Sequence, residues 1–215
     1  MNSLAEDNIR LEKNKKRSNI LFETQILPIL KKEFYFDDFI NFEYATRDIQ
    51  KKFDQDLKID YICFIDETPI ALQARTGSFA GFTIRKTSRN SKTEFYTTLQ
   101  NLSKEDFPVD KDSVFSIQGQ FHNSALKRLW ICGTEDLYVL CSKLVNENII
   151  SEKTASQDGN KFYYLPYELI KNYIQVKEID IKWFNNWTGR YSIRTWYSCF
   201  ITRYKFNTLL SFIKL

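Results

Sequence analysis

The sequence predicts an α/β domain, and three observations carry that expectation. Apolar residues recur at three- and four-residue spacing over residues 39–53, the period of a helix face. Two apolar runs, 57–65 and 70–74, flank an acidic turn in the manner of paired strands. The chain is 43% apolar and 27% charged over 215 residues, enough for one folded domain with a sizeable core.

Taken in order, residues 1–18 are polar and end in the basic cluster Lys13, Lys15, Lys16 and Arg17. They read as a loose basic arm or exposed helix ahead of a single domain over 19–215. The stretch "ILFETQILPILKKEFYF" is strongly apolar, with Pro28 interrupting or beginning a helix. Over 39–53, Phe39, Phe42, Ala45, Ile49 and Phe53 form one apolar face, and Glu43, Arg47, Gln50 and Lys51 fall mainly elsewhere. Residues 57–65 are apolar on both parities, which predicts a strand covered on both sides. Asp66 to Pro69 makes a turn. Residues 70–74 return, and "FAGFTIRKT", "RNSK" and "TEFYTTL" extend the pattern as strand, turn and strand, a meander. "DSVFSIQGQF" and "DLYVLCSKLV" are further apolar segments, and "SALKRLWIC" between them fits a short helix or a strand equally. "KFYYL" is a tyrosine-rich strand, and 166–187 hold a helix or a small strand and turn. The end is aromatic and basic.

Composition narrows the chemistry. One histidine, His122, and four scattered cysteines exclude most zinc arrangements by ligand count. Cys63, Cys132, Cys141 and Cys199 lie in apolar surroundings without a C-x-x-C, as buried thiols of a reducing, cytoplasmic setting. His122 suits a hydrogen-bonded boundary position better than a metal or acid–base role. There is no phosphate-binding G-x-x-x-x-G-K-[ST] loop, and "GSFAG" is neither a nucleophile elbow nor a dinucleotide fingerprint. No run approaches the ~20 residues of a membrane span, so no membrane partner is expected. Asn186-Trp187-Thr188 matches a glycosylation pattern that a cytoplasmic chain does not use. The net charge of +4 leans toward a polyanionic partner.

The stretch "KIDYICFIDETPIALQAR" carries polar groups that a plain core hairpin does not need. Asp60 opens the first strand, where a carboxylate wants a cation or hydrogen-bond donors. Gln73 and Arg75 share one face of the second strand. If the strands pair around the turn, acid, amide and guanidinium converge. They also make sense as a structural ion pair at a sheet end, with Gln73 on a backbone group.

On these residues the stretch resembles the PD-(D/E)xK nuclease superfamily, whose motif is an acid at a strand start, then a strand bearing Glu or Asp, one residue, and Lys. The resemblance covers about residues 38–95. It implies a restriction-endonuclease-like mixed central sheet flanked by helices, Mg²⁺ as cofactor and DNA phosphodiester hydrolysis. Asp60 takes the first acidic position, Gln73 stands where the second carboxylate usually stands, and Arg75 stands where the lysine usually stands. Glu43 is the candidate helix acid. The resemblance thus implies metal contacts from Glu43, Asp60 and Gln73. Arginine does not give up its proton, so Arg75 suits a phosphate clamp and not a general base.

Arg85, Lys86, Arg89, Asn90 and Lys92 follow the supposed active strand and suit a DNA-binding hairpin. The segment "IKWFNNWTGRYSIRTWYSCF" mixes aromatics with arginine, a composition found in cores, in dimer interfaces and on base-stacking surfaces. A homodimer follows from the nuclease analogy, because two-fold symmetry matches two DNA strands. Two other classes remain open: a non-catalytic nucleic-acid-binding protein on the same scaffold, and a protein–protein interaction domain using the aromatic end.

Overall fold

The computed structural model describes residues 13, 16–36, 38–65, 67–87, 94–155 and 160–181. Residues 16–21 are helical and run through a π-helical turn, Phe22–Ile26, into helix α1, Leu27–Phe34. Pro28 lies in the first turn of α1, directly after the π-helical turn that the Leu27 N–H closes onto the Phe22 carbonyl, and Tyr35 closes the helix with φ 55°. Residues 16–18, read as part of the arm, belong to this helical run. Arg17 donates to the Ser124 hydroxyl at 2.7 Å, and the Ser18 and Thr76 hydroxyls are 2.6 Å apart.

Strand β1, Phe39–Asn41, then a 3₁₀ turn Phe42–Tyr44, helix α2 Arg47–Gln50 and a π-helical turn Lys51–Leu57 replace the single helix expected over 39–53. The reason lies in the packing. Phe39 packs with Phe22 and Tyr61, whereas Phe42 stacks on Phe53 at 4.3 Å in a different cluster. The helix-like spacing joined two separate cores, and Ile49 is left exposed.

Strands β2 (Tyr61–Ile65) and β3 (Thr68–Gly77) form the predicted hairpin, with Tyr61 opposite Leu72 and Ile62 opposite Ala71. The meander ends there. Strand β4, Gly81–Thr87, leaves for a second sheet. The segment expected to return as a strand is helix α3, Glu94–Leu102, whose Phe95, Thr98 and Leu102 are buried at helical spacing. Its aromatic and β-branched residues suggest a strand, and tertiary packing overrides that weak preference. The chain then re-enters the first sheet as β5, Val114–His122, parallel to β3. A long excursion of this kind is what a parallel pair requires.

Strand β6, Ala125–Gly133, settles "SALKRLWIC" as a strand. It pairs with β5 through a two-residue turn in which Asn123 and Ser124 have φ 50° and 62°, the left-handed turn whose twist suits a hairpin. "DLYVLCSKLV" lies in helix α4, Thr134–Asn146, which buries Leu137, Tyr138, Leu140, Cys141 and Leu144. Strands β7 (Glu152–Thr154) and β8 (Lys161–Pro166), helix α5 (Tyr167–Ile170) and strand β9 (Lys177–Asp180) complete the described fold.

The six-stranded mixed sheet has order β1-β2-β3-β5-β6-β9, and a three-stranded sheet has order β4-β8-β7. One face of the large sheet presents Tyr61, Cys63, Leu72, Ile117, Leu129 and Ile131 to the helical run 16–34. Phe22 stacks on Tyr61 at 4.1 Å, and Gly119 lets Ile26 approach; a Cβ there would meet its Cδ1 at 2.7 Å. The other face carries Ile62, Ala71 and Val114, then Trp130 and Cys132, in two clusters shared with α3, α4 and the small sheet. Among the described residues no helix is long and apolar enough to cross a membrane.

Candidate functional site

The hairpin register brings Asp60 and Arg75 together. The Asp60 N–H donates at 3.0 Å to the carbonyl of Leu72, the residue that faces Tyr61 at the start of β2. Asp60 Oδ2 then accepts from the Ala74 N–H at 2.8 Å and from Arg75 Nη1 at 3.4 Å, while Arg75 Nη1 also donates to the Ala74 carbonyl at 3.0 Å. Both side chains keep contact with solvent, at 25% and 31% exposure for Asp60 and Arg75. The carboxylate is therefore structural in its own right, holding the β3 backbone and the Arg75 guanidinium at the sheet end.

Gln73 follows the expected parity. It lies between the buried Ala71 and Arg75 on alternate positions of β3, and it is itself buried. Across the parallel pair it faces Ser116, and Arg75 faces Gln118. Gln73, Arg75, Ser116, Thr83, Leu137 and Tyr138 are among the residues around a small pocket between the large sheet, β4 and α4. A buried polar stripe thus crosses the middle of the sheet. Ser116 and Thr134 hydroxyls are 3.0 Å apart, and Gln118 Oε1 accepts from the Thr83 N–H at 3.2 Å and its hydroxyl at 3.1 Å. Ser116, Gln118, Thr83 and Thr134 were not legible as partners, because the parallel β3–β5 pairing brings Ser116 and Gln118 beside Gln73 and Arg75, and Thr83 and Thr134 reach them from β4 and α4.

Glu43 lies on the 3₁₀ turn, not on a helix, and its N–H donates to Asn41 Oδ1 at 2.9 Å. The preceding helical run carries two acids, Glu23 and Glu33, of which Glu23 reaches the turn that holds Glu43. Glu23 Oε1 accepts from Asn41 Nδ2 at 2.7 Å and Glu23 Oε2 from the Tyr44 hydroxyl at 3.4 Å. Reading 39–53 as the preceding helix hid Glu23. The Tyr61 phenol lies within the field of these acids: burial first, then Asp60, Glu23, Tyr44 and Glu43, push its pKa far above the ordinary value.

Magnesium takes one or two carboxylates and keeps several of its waters. Asp60 and Gln73 stand on neighbouring strands with one anionic and one neutral oxygen, but Gln73 is buried and Asp60 Oδ2 is already engaged by the Ala74 amide and Arg75. Among the described residues no three His, Cys, Asp or Glu side chains group as a metal cage.

Of the expected DNA contacts, Arg85 is exposed on β4. Lys86 is engaged within the fold: its Nζ is 2.5 Å from Glu152 Oε2 and 5.6 Å from the Tyr163 ring centroid, and Glu152 foremost raises its pKa. Arg89, Asn90 and Lys92, the aromatic segment from Trp183 onward and Cys199 lie outside the described residues. His122 is exposed at the end of β5, opposite Ala125. Cys63, Cys132 and Cys141 are buried free thiols, and burial pushes Cys63 and Cys141 up to about 12. No family model, curated protein or solved structure matches this chain.

Proposed function

We propose that this chain is a metal-dependent DNA endonuclease on a restriction-endonuclease-like scaffold. The observation that supports it is the placement of Asp60, Gln73 and Arg75 at one end of a single antiparallel hairpin, with the Asp60 carboxylate and the Arg75 guanidinium in direct contact. In this reading Asp60 and Gln73 hold Mg²⁺. Bound there, the ion would supply Lewis-acid stabilisation of the phosphate and an acidified water. Arg75 stays protonated and clamps the scissile phosphate, stabilising charge that builds on it. Arg85, on the strand that follows, adds phosphate affinity without sequence choice. A homodimer would present two such sites to the two strands of a duplex.

A second reading is favoured by one contact. Arg75 already engages the Asp60 oxygen that a cation would use. A scaffold locked in that pair binds the DNA backbone and does not cut it.

The experiment is nicking of supercoiled plasmid DNA with Mg²⁺ and with EDTA, beside gel-shift binding. The endonuclease reading expects nicking that EDTA stops and that Asp60→Asn and Gln73→Leu abolish while binding persists. Mg²⁺-dependent nicking that survives in Asp60→Asn would sink this site. Salt-sensitive binding with no nicking in any protein would select the second reading.

A further inference from the structure

The small sheet has two unlike faces. Phe82, Ile84, Tyr163 and Leu165 are buried on one. Residues of the opposite parity include Arg85 on β4, Phe162 on β8 and Lys153 on β7. The register places all three in one row, with Arg85 opposite Phe162 and Phe162 opposite Lys153. An aromatic ring is thus flanked across the strands by two exposed cations about 10 Å apart, two strand spacings. The neighbouring Tyr164 continues the surface, with Lys153 Nζ 4.9 Å from its ring centroid.

Phe79, in the link between β3 and β4, packs its ring against both, at 5.6 Å from Phe162 and 5.1 Å from Tyr164, and remains 39% exposed. It stands four residues beyond Arg75, so this surface adjoins the hairpin end. The three strands contain one acidic residue, Glu152. It registers with the buried Tyr163 and is engaged by Lys86 and Lys161. Arg85 and Lys153, both exposed, thus put positive charge on either flank of the aromatic row.

We propose that this face is a platform for single-stranded nucleic acid, with unpaired bases stacking on Phe79 and Phe162 and the backbone held by Arg85 and Lys153. Stacking on aromatic rings needs bases released from a duplex, whose π-faces are otherwise covered, and tolerates any sequence. Cations on both sides neutralise phosphates on either flank of the stacked base. This deepens the DNA reading above by naming its substrate class as strands with an unpaired stretch, and it rests on that reading only for the cutting step.

The test is binding by fluorescence anisotropy of the full chain in EDTA, so that no cleavage is needed. The probes are an oligothymidylate of about twenty nucleotides, an abasic oligonucleotide of equal length and a duplex of equal length. The wild type is expected to bind oligothymidylate roughly tenfold tighter than either of the others at about 50 mM salt. Phe79→Ala removes that margin over the abasic strand, and Lys153→Ala weakens both single strands and lowers the salt slope by about one. Phe79 and Lys153 are both partly or fully exposed, and unchanged melting temperatures verify that the variants fold. Equal binding of abasic and thymidylate strands, tighter binding of the duplex, displacement by polyglutamate at equal charge, or an unaffected Phe79→Ala variant would each overturn the platform. Loss of nicking with intact oligothymidylate binding would count against the nuclease site alone.

Discussion

The carboxylate of Asp60 grips β3 at two points, the Ala74 amide and the Arg75 guanidinium, while its own backbone N–H holds the Leu72 carbonyl. Whatever else Asp60 does, it fixes the register of the strand that carries Gln73 and Arg75. The pair is partly solvated, so the net ion-pair energy is modest, and a double-mutant cycle of Asp60→Ala with Arg75→Ala should return a coupling of about 0.5–1 kcal/mol. Asp60→Ala alone should cost about 1–3 kcal/mol by depriving the Ala74 amide of its acceptor, and Asp60→Asn less, because its carbonyl can still accept. Urea denaturation checks both values. An Asp60→Ala protein as stable as the wild type would show that the clamp carries no weight, which would leave the nuclease role as the reason for an acid at this position.

Glu33 and Lys177 form the least solvated ion pair among those resolved, with side-chain exposures of 9% and 12%. It ties α1 to β9, the last described strand, and Lys177 also lies 5.5 Å from the Phe34 ring centroid. Removing one partner strands a charge away from water. Glu33→Ala or Lys177→Met is expected to cost about 3–5 kcal/mol, and Glu33→Leu combined with Lys177→Met about 1 kcal/mol or less. Chemical denaturation of the three proteins decides this; equal losses in single and double variants would refute it.

Thr98 is 1% exposed on α3, and its hydroxyl has no hydrogen-bond partner among the described residues. Thr98→Val keeps the branched shape and deletes the orphan oxygen. A gain of about 1 kcal/mol is expected, seen as a higher urea midpoint at unchanged slope. A loss would mean that the hydroxyl has a partner beyond those residues.

The buried thiols give an alkaline limit to stability. Burial raises Cys63 and Cys141 from an ordinary 9.0 to about 12, so the fold accepts the protonated form. Between those values the unfolded chain has lost the protons that the folded chain keeps. The contribution is therefore whole below about pH 9 and disappears as pH climbs toward 12. Each thiol should lower the unfolding free energy by up to about 1.4 kcal/mol per pH unit in that window. Unfolding measured from pH 8 to pH 10.5 should show the decline, and Cys63→Ala should flatten its share of it. The same burial makes reaction with a thiol reagent at pH 8 slow until the protein is denatured.

Local pattern in the sequence determined the α/β class, the β2–β3 hairpin around its acidic turn, the burial of Cys63, Cys132 and Cys141, and the meeting of Asp60 with Arg75. Strand alternation has a fixed period of two, and a short turn leaves a hairpin little choice of register, so parity alone places those side chains. The mixed sheet was only what the nuclease resemblance implied, with no strand order, and the local pattern itself suggested a meander. Only the tertiary structure decided that β3 pairs in parallel with β5, that Phe39 and Phe42 serve different cores, that Glu94–Leu102 winds into a helix, and that Glu23, on the helical run before the hairpin, reaches Asn41 and Tyr44. Those outcomes depend on pairings between residues far apart in the chain, Gln73 with Ser116, or Phe162 with Arg85 on one side and Lys153 on the other. Such pairings are chosen by which apolar faces can be buried together, and a single segment's composition does not contain that information.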